Sequence, residues 1–209
     1  MKNKSIAVIG AGKWGQALHF ALSQKQKCLI TSRTKKDIEN FVDLNTAMDC
    51  EYLVIAIPAQ EIRTWLKENF VFKGQKILVA SKGIEANTGE FLNEIYSAFV
   101  PDENIGFISG PSFAAEVIKG LPCALVLNSS SEELYDEFEP FFPDFIKTYY
   151  SSDVIGAEIA GAYKNVLAIA SGICEGLNLG KNAQASLIAR GLVEMQRFGK
   201  HFGAKKSSF

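Results

Sequence analysis

Close to the N-terminus a short apolar run, Ser5–Ile9 (SIAVI), leads without a break into Gly10-Ala11-Gly12-Lys13-Trp14-Gly15. The residues Trp14–Ser23 that follow read as a helix. A buried strand, a turn spaced GxGxxG and a helix together leave few folds open. Gly10 permits a tight turn, Gly12 lets backbone approach a pyrophosphate, and Gly15 lets helix and strand pack closely. The helix start adds free N–H groups and the positive end of a dipole, both suited to phosphate. The spacing alone is a common pattern. Its place between a strand and a helix is what predicts a dinucleotide site.

The rest of the first 150 residues repeats the alternation. Apolar runs at Cys28–Thr31, Tyr52–Ile57 (stopped by Pro58), Lys76–Ala80, Ile105–Ile108, Ala124–Leu127 and Ile146–Tyr149 read as strands. Glu61–Phe70, Gly89–Phe99, Ser112–Lys119 and Glu132–Phe141 read as the helices between them. Strands that are apolar throughout, rather than at every second residue, are covered on both faces. With right-handed crossovers the simplest result is an α/β, doubly wound parallel, Rossmann-like sheet. The pattern changes near Ser151. Asp153–Cys174 and Asn182–Phe202 both read as helices, joined by the loop Glu175–Lys181 (EGLNLGK). The expected division is a dinucleotide-binding domain over 1–152 and the start of an all-α C-terminal domain over 153–209. Two helices make a poor core by themselves. They must pack on the sheet, on a partner or on further chain.

Composition removes other classes. Of 209 residues, 47% are hydrophobic and 22% charged, which excludes a disordered chain, a fibrous repeat and a disulfide mini-protein. The 22 basic and 23 acidic residues leave no cationic excess for a nucleic-acid backbone, so no nucleic-acid partner is expected. Cys28, Cys50, Cys123 and Cys174 form no CxxC pair and read as free thiols in a reducing compartment. His19 and His201 cannot build a His-rich metal site. No apolar run reaches the roughly 18 residues of a membrane span. Lys2 and Lys4 before an apolar run superficially resemble a signal peptide, but Gly10, Gly12, Lys13 and Gly15 break that run. A cytoplasmic protein is expected.

Four positions then stand out as candidates for chemistry. The second strand ends in Thr31-Ser32-Arg33-Thr34-Lys35-Lys36, with no acid until Asp37. An NAD-selective site normally carries an acid here for the ribose hydroxyl, whereas a guanidinium welcomes a 2′-phosphate. Arg33 therefore favours NADP over NAD, or else belongs to a solvated basic loop. Lys82, in Ser81-Lys82-Gly83, follows a strand at its carboxyl end, where such sheets bind ligands. It reads equally as a surface lysine. Lys164 shares the long stretch from Val154 to Cys174 with one other charge, Glu158. Its helical neighbours are Ala157, Ala160, Gly161, Ala168 and Ser171. So small a surround lets a ligand come close, and partial desolvation there would bring a lysine toward useful proton transfer. The alternative is a snorkelling lysine. Asn165 beside it offers an amide to orient a substrate hydroxyl or the amine. Ser109-Gly110-Pro111-Ser112 offers a second anion-friendly helix start, or plain capping by Ser112.

Taken together, five segments resemble the bacterial-type NAD(P)-dependent glycerol-3-phosphate dehydrogenases. They are GAGKWG (Gly10–Gly15), ASKGIE (Ala80–Glu85), SGPSFAAEV (Ser109–Val117), GAYKNVLAIASG (Gly161–Gly172) and NAQASLIARGLVEM (Asn182–Met195). The resemblance implies Lys164 as proton donor and acceptor, and Lys82 as a contact to both substrate and cofactor. It further implies Gly110 and Ser112 as substrate contacts, Asn165 as the amide beside the lysine, and Ala114, Lys13, Trp14 and Arg33 as cofactor contacts. The implied reaction is reversible reduction of dihydroxyacetone phosphate, a phosphorylated triose, to sn-glycerol 3-phosphate, the precursor of glycerophospholipid backbones. A homodimer is implied for the full-length family members. The family continues past this C-terminus with an Asp that supports the lysine and an Asn-Arg-Arg segment that grips phosphate. The chain thus resembles an N-terminal part of a longer protein, expected to bind cofactor and to be a weak catalyst. Two other readings stay open. A β-hydroxyacid-dehydrogenase-like enzyme also pairs such a domain with a helical lysine, although the adjacency of Lys164 and Asn165 argues against it. A non-catalytic cofactor-binding module is the other.

Overall fold

The computed structural model describes residues 4–209, so Lys2 lies outside the described residues. Seven strands form one sheet: β1 (Ile6–Ile9), β2 (Cys28–Thr31), β3 (Tyr52–Ile55), β4 (Lys76–Val79), β5 (Ile105–Ser109), β6 (Cys123–Asn128) and β7 (Ile146–Ser151). Their spatial order is β2-β1-β3-β4-β5-β6-β7. From β1 the chain steps to β2 on one side and then to β3 on the other. The carboxyl ends of β1 and β3 therefore flank the crevice where a doubly wound sheet binds its ligand. Each strand alternates between two apolar layers. Ile6 and Val8 pack with Leu18, Ile30 and Phe138 on one face. Ala7 and Ile9 pack with Leu53, Ile62 and Leu66 on the other. Coverage on both sides is why these strands carry no polar alternation.

Among the described residues eight α-helices accompany the strands: α1 (Lys13–Ser23), α2 (Leu44–Met48), α3 (Ile62–Asn69), α4 (Leu92–Ser97), α5 (Ala114–Val117), α6 (Glu132–Phe138), α7 (Val154–Gly176) and α8 (Gly180–His201). Three departures from the sequence reading have physical reasons. The sheet is mixed, because β6 runs antiparallel to β5. A parallel crossover needs a helix long enough to carry the chain back along a strand. The segment 110–122 holds only the four-residue α5, so the chain re-enters the sheet from the end it has just left. β7 then follows β6 in parallel through α6. The helix expected over Ser112–Lys119 starts later, at Ala114, and Ser112 does not cap it. Finally, α2 escaped the reading because five residues are too few to leave a periodic pattern. It rests on Asp43, whose carboxylate accepts from the Thr46 N–H at 3.0 Å.

After β7 the chain enters α7, whose first turn is capped by Asp153 accepting from the Gly156 N–H at 3.1 Å. The first half of α7 packs on β5 and α4. Its second half pairs with α8, where Gly191 lies so close to Leu167 that a Cβ would fall 2.1 Å from its Cδ2. Outward from this pair Val166, Ile169, Ile173, Leu192 and Val193 remain exposed. Among the described residues no helix is long and apolar enough to cross a membrane.

Candidate active site

The glycine turn sits at the carboxyl end of β1. Gly10 has φ +111°, a left-handed conformation that disfavours any side chain, and a Cβ there would lie 2.5 Å from the Ala56 carbonyl oxygen. At Gly15 a Cβ would meet the Gly10 carbonyl oxygen at 1.8 Å, so α1 rests directly on the turn. Around Gly12 a Cβ would meet nothing within 4 Å. Two glycines thus serve packing, while the third faces open space at the start of α1. The first amides of that eleven-residue helix have no carbonyl partner within it. Lys13 and Trp14 open the helix.

Across the crevice, Lys82 follows β4. Its Nζ lies 5.9 Å from the centre of the Trp14 ring, which ties the lysine to the glycine turn. Its stem crosses Gly161 of α7, where a Cβ would stand 3.8 Å from Lys82 Cγ. The neighbouring Ser81 hydroxyl donates to the Ile57 carbonyl at 2.5 Å, which fixes the strand end. Lys82, Ser81 and Gly83 line a small cavity with Phe107, Ile108, Ala157, Glu158 and Gly161. Burial, then the charge of the neighbouring Lys164, push the Lys82 ammonium down to about 8. The two lysines therefore meet, one from the β4 loop and one from α7. Lys164 itself is exposed. The desolvation expected for Lys164 falls on Lys82 instead, because the Ala157–Gly161 stretch of α7 faces the sheet and Lys164 lies at its rim.

The remaining candidates divide. Gly110 and Ser112 follow β5 on the same edge of the sheet. The Ser112 hydroxyl is buried with no hydrogen-bond partner among the described residues, as is the Trp14 indole N–H. With only one turn behind it, α5 has no dipole of consequence, so the expected second anion-friendly helix start is not present. Ala114 packs against the same core as Trp14. Arg33 is exposed after β2 and has no ion-pair partner among the described residues. Lys36, from the same loop, donates to the Ala11 carbonyl at 2.5 Å and so braces the glycine turn. Asn165 is exposed on α7.

Sequence reasoning passed over two acids here. Glu158 is 8% exposed, and its Oε1 accepts from the Asn93 N–H of α4 at 3.1 Å. Its Oε2 has no partner among the described residues. Burial pushes its carboxyl up to about 8, against the hydrogen bonds from Asn93 and Leu92. The same signal that marks Lys164, a charge on an otherwise uncharged stretch, was available for it. Glu85 is 6% exposed and paired with Arg63. Nothing local in the sequence announces that pairing.

A family model described as the C-terminus of NAD-dependent glycerol-3-phosphate dehydrogenase matches residues 153–209, and the corresponding N-terminus model matches 23–135. A Sulfurimonas denitrificans protein named glycerol-3-phosphate dehydrogenase, NAD(P)+, is 66% identical over 204 residues, covering 98% of this chain and 69% of that relative. A protein of the same name from Campylobacter jejuni is 61% identical over the same shares. The crystal structure of glycerol-3-phosphate dehydrogenase from Coxiella burnetii superposes with a TM-score of 0.84 at 32% identity, covering 98% of this chain and 71% of that one. With identity of this level along its whole length and both halves matched, the chain belongs to the NAD(P)-dependent glycerol-3-phosphate dehydrogenase family.

Proposed function

We propose that this protein is an oxidoreductase that reversibly reduces dihydroxyacetone phosphate to sn-glycerol 3-phosphate with NAD(P)H. The observation that carries the reading is the meeting of Lys82 and Lys164 beside Trp14, at the carboxyl edge of the sheet and across from the open backbone at Gly12. The cofactor fits the residues present. Gly12 leaves room for a pyrophosphate, the start of α1 offers amides, and the Trp14 N–H and Ser112 hydroxyl are buried donors awaiting partners. Gly10, Gly12, Lys13, Trp14, Gly15, Arg33, Lys82 and Ala114 would hold it, and when bound it supplies the hydride.

The chain's own residues do the rest. Lys164, at the rim of the crevice, polarises the substrate carbonyl and gives a proton to the oxygen as negative charge develops there. Lys82 runs past Gly161 toward the Trp14 ring, where it is placed to orient substrate against cofactor. Gly110, Ser112 and the Asn165 amide complete the substrate contacts.

An absorbance assay with NADPH and dihydroxyacetone phosphate tests this. Turnover is expected to fall by at least about a hundredfold in Lys164→Ala while NADPH binding persists. Equal turnover by the alanine variant would remove Lys164 from its role. Arg33 supports a preference for NADP. The break between β7 and α7 supports a dinucleotide-binding domain over 1–152 and a helical substrate and dimerisation domain over 153–209. The exposed apolar side chains of α7 and α8 support a homodimer. Four free thiols suit the reducing cytoplasm, where the product would enter glycerophospholipid synthesis.

A further inference from the structure

The loop that carries Lys82 is gripped from one side by α3 and the turn before it. Gly83 has φ +135°, and a Cβ on it would stand 3.2 Å from Ala59 Cβ. Gln60 holds the loop twice, donating to the Ile84 carbonyl at 2.8 Å and accepting from the Ala86 N–H at 2.8 Å. Beyond Lys82 the chain folds into a small hairpin. Ile84 bridges Phe91, and the Glu85 N–H donates to the Glu90 carbonyl at 3.0 Å. Inside this hairpin lies the Glu85 carboxylate. Arg63 Nε donates to both its oxygens, at 2.9 and 3.0 Å, and the Thr88 hydroxyl donates to Oε2 at 2.6 Å. Arg63 also pairs with Glu90.

The far side of the hairpin reaches the other lysine's helix. Phe91 is buried with Ile159 of α7 and Met195 of α8. Two residues on, in α4, the Asn93 N–H donates to Glu158 of α7 at 3.1 Å. One hairpin is thus fastened to α3 at Glu85 and to α7 at Phe91, with Lys82 at its mouth.

We propose that Glu85, clamped by Arg63 and Thr88, is the positioning residue that sets Lys82 against Lys164. The proposal rests on the dehydrogenase reading for its purpose but not for its test. A buried carboxylate held by two donor groups through three contacts fixes the hairpin in direction as well as position, because a shift of an ångström breaks all three. Glu85 touches neither lysine; it acts through the backbone of Gly83 and Ile84.

Competitive acetylation of the full chain with acetic anhydride, read by peptide mass spectrometry from about pH 7 to pH 11, follows the Lys82 amine without cofactor or substrate. Exposed Lys147 serves as the internal reference. In Glu85→Ala, Lys82 is expected to titrate at least about one unit higher and to lose at least about fivefold in relative reactivity near pH 8. Glu85→Gln, which keeps the Thr88 bond and part of the Arg63 contact, should show less than half of that change. If Glu85→Ala does not fold, Thr88→Val removes one bond from the same carboxylate and should shift Lys82 in the same direction. Wild-type titration of Lys82 in a folded Glu85→Ala, or in both milder variants, overturns the proposal. Because no turnover is read, such a failure leaves the dehydrogenase reading standing, and an inactive enzyme leaves this measurement intact.

Discussion

Two charged side chains on α7 have opposite fates. Lys164 stays at the rim, whereas Glu158, six positions earlier on the helix, is buried against the start of α4. Folding favours the neutral acid, so Glu158 takes up a proton on folding between about 4.5 and 8. Its contribution therefore grows less favourable as pH rises through that window, and the loss is complete above it. Glu158→Gln keeps an oxygen for the Asn93 N–H and cannot ionise. In urea unfolding it should match wild type near pH 5 and exceed it by roughly 1–3 kcal/mol near pH 8.5. A stability gap that does not change with pH would show that Glu158 titrates alike in the folded and unfolded states. Arg33 supports a second residue-scale prediction. Arg33→Ala should weaken NADPH binding by about tenfold and leave NADH affinity unchanged, because only the 2′-phosphate calls for a guanidinium. An unchanged affinity ratio in fluorescence titrations would assign cofactor choice elsewhere.

Among the elements, the strand–turn–helix at the N-terminus was fully legible, because each glycine there answers a steric demand. The same demands separate two substitutions. Gly15→Ala drives a methyl into the Gly10 carbonyl and should cost about 3 kcal/mol in thermal or urea unfolding. Gly12→Ala meets open space with φ −70°, so the fold should stay within about 1 kcal/mol of wild type while NADPH affinity falls. Loss of stability in both variants alike would contradict the assignment of Gly12 to the ligand. Other elements were less legible. The run Ala124–Leu127 was recognisable as a strand from its apolar residues, but its direction was not, since direction depends on how far α5 carries the chain. The pairing of Glu85 with Arg63 joins residues on two different elements, and no local pattern records it. Lys82 and Lys164 were each visible as anomalies, yet which of them is desolvated depends on the rotation of α7 against the sheet.

At the scale of the whole molecule, the sheet and its two apolar layers are closed, while the α7–α8 pair is not. Val166, Ile169 and Ile173 of α7 and Leu192 and Val193 of α8 are apolar side chains left exposed to solvent. Surfaces of this kind associate. Sedimentation should show a mass that rises with protein concentration, and Ile169→Glu together with Ile173→Glu should bring it back toward 22.9 kDa. Constant mass in both proteins would leave the exposed face without a partner of its own kind. What the chain determined unaided is local: which runs are buried on both faces, where glycine is required, and where a charge stands alone among small residues. Each of these is a matter of neighbours along the backbone. What only the folded molecule decided is relational: the reversal of β6, the partial burial of Lys82 in place of Lys164, and the clamp on Glu85. These follow from distances between residues far apart in sequence, set by the packing of α3 and α7 on the sheet, which no stretch of sequence contains.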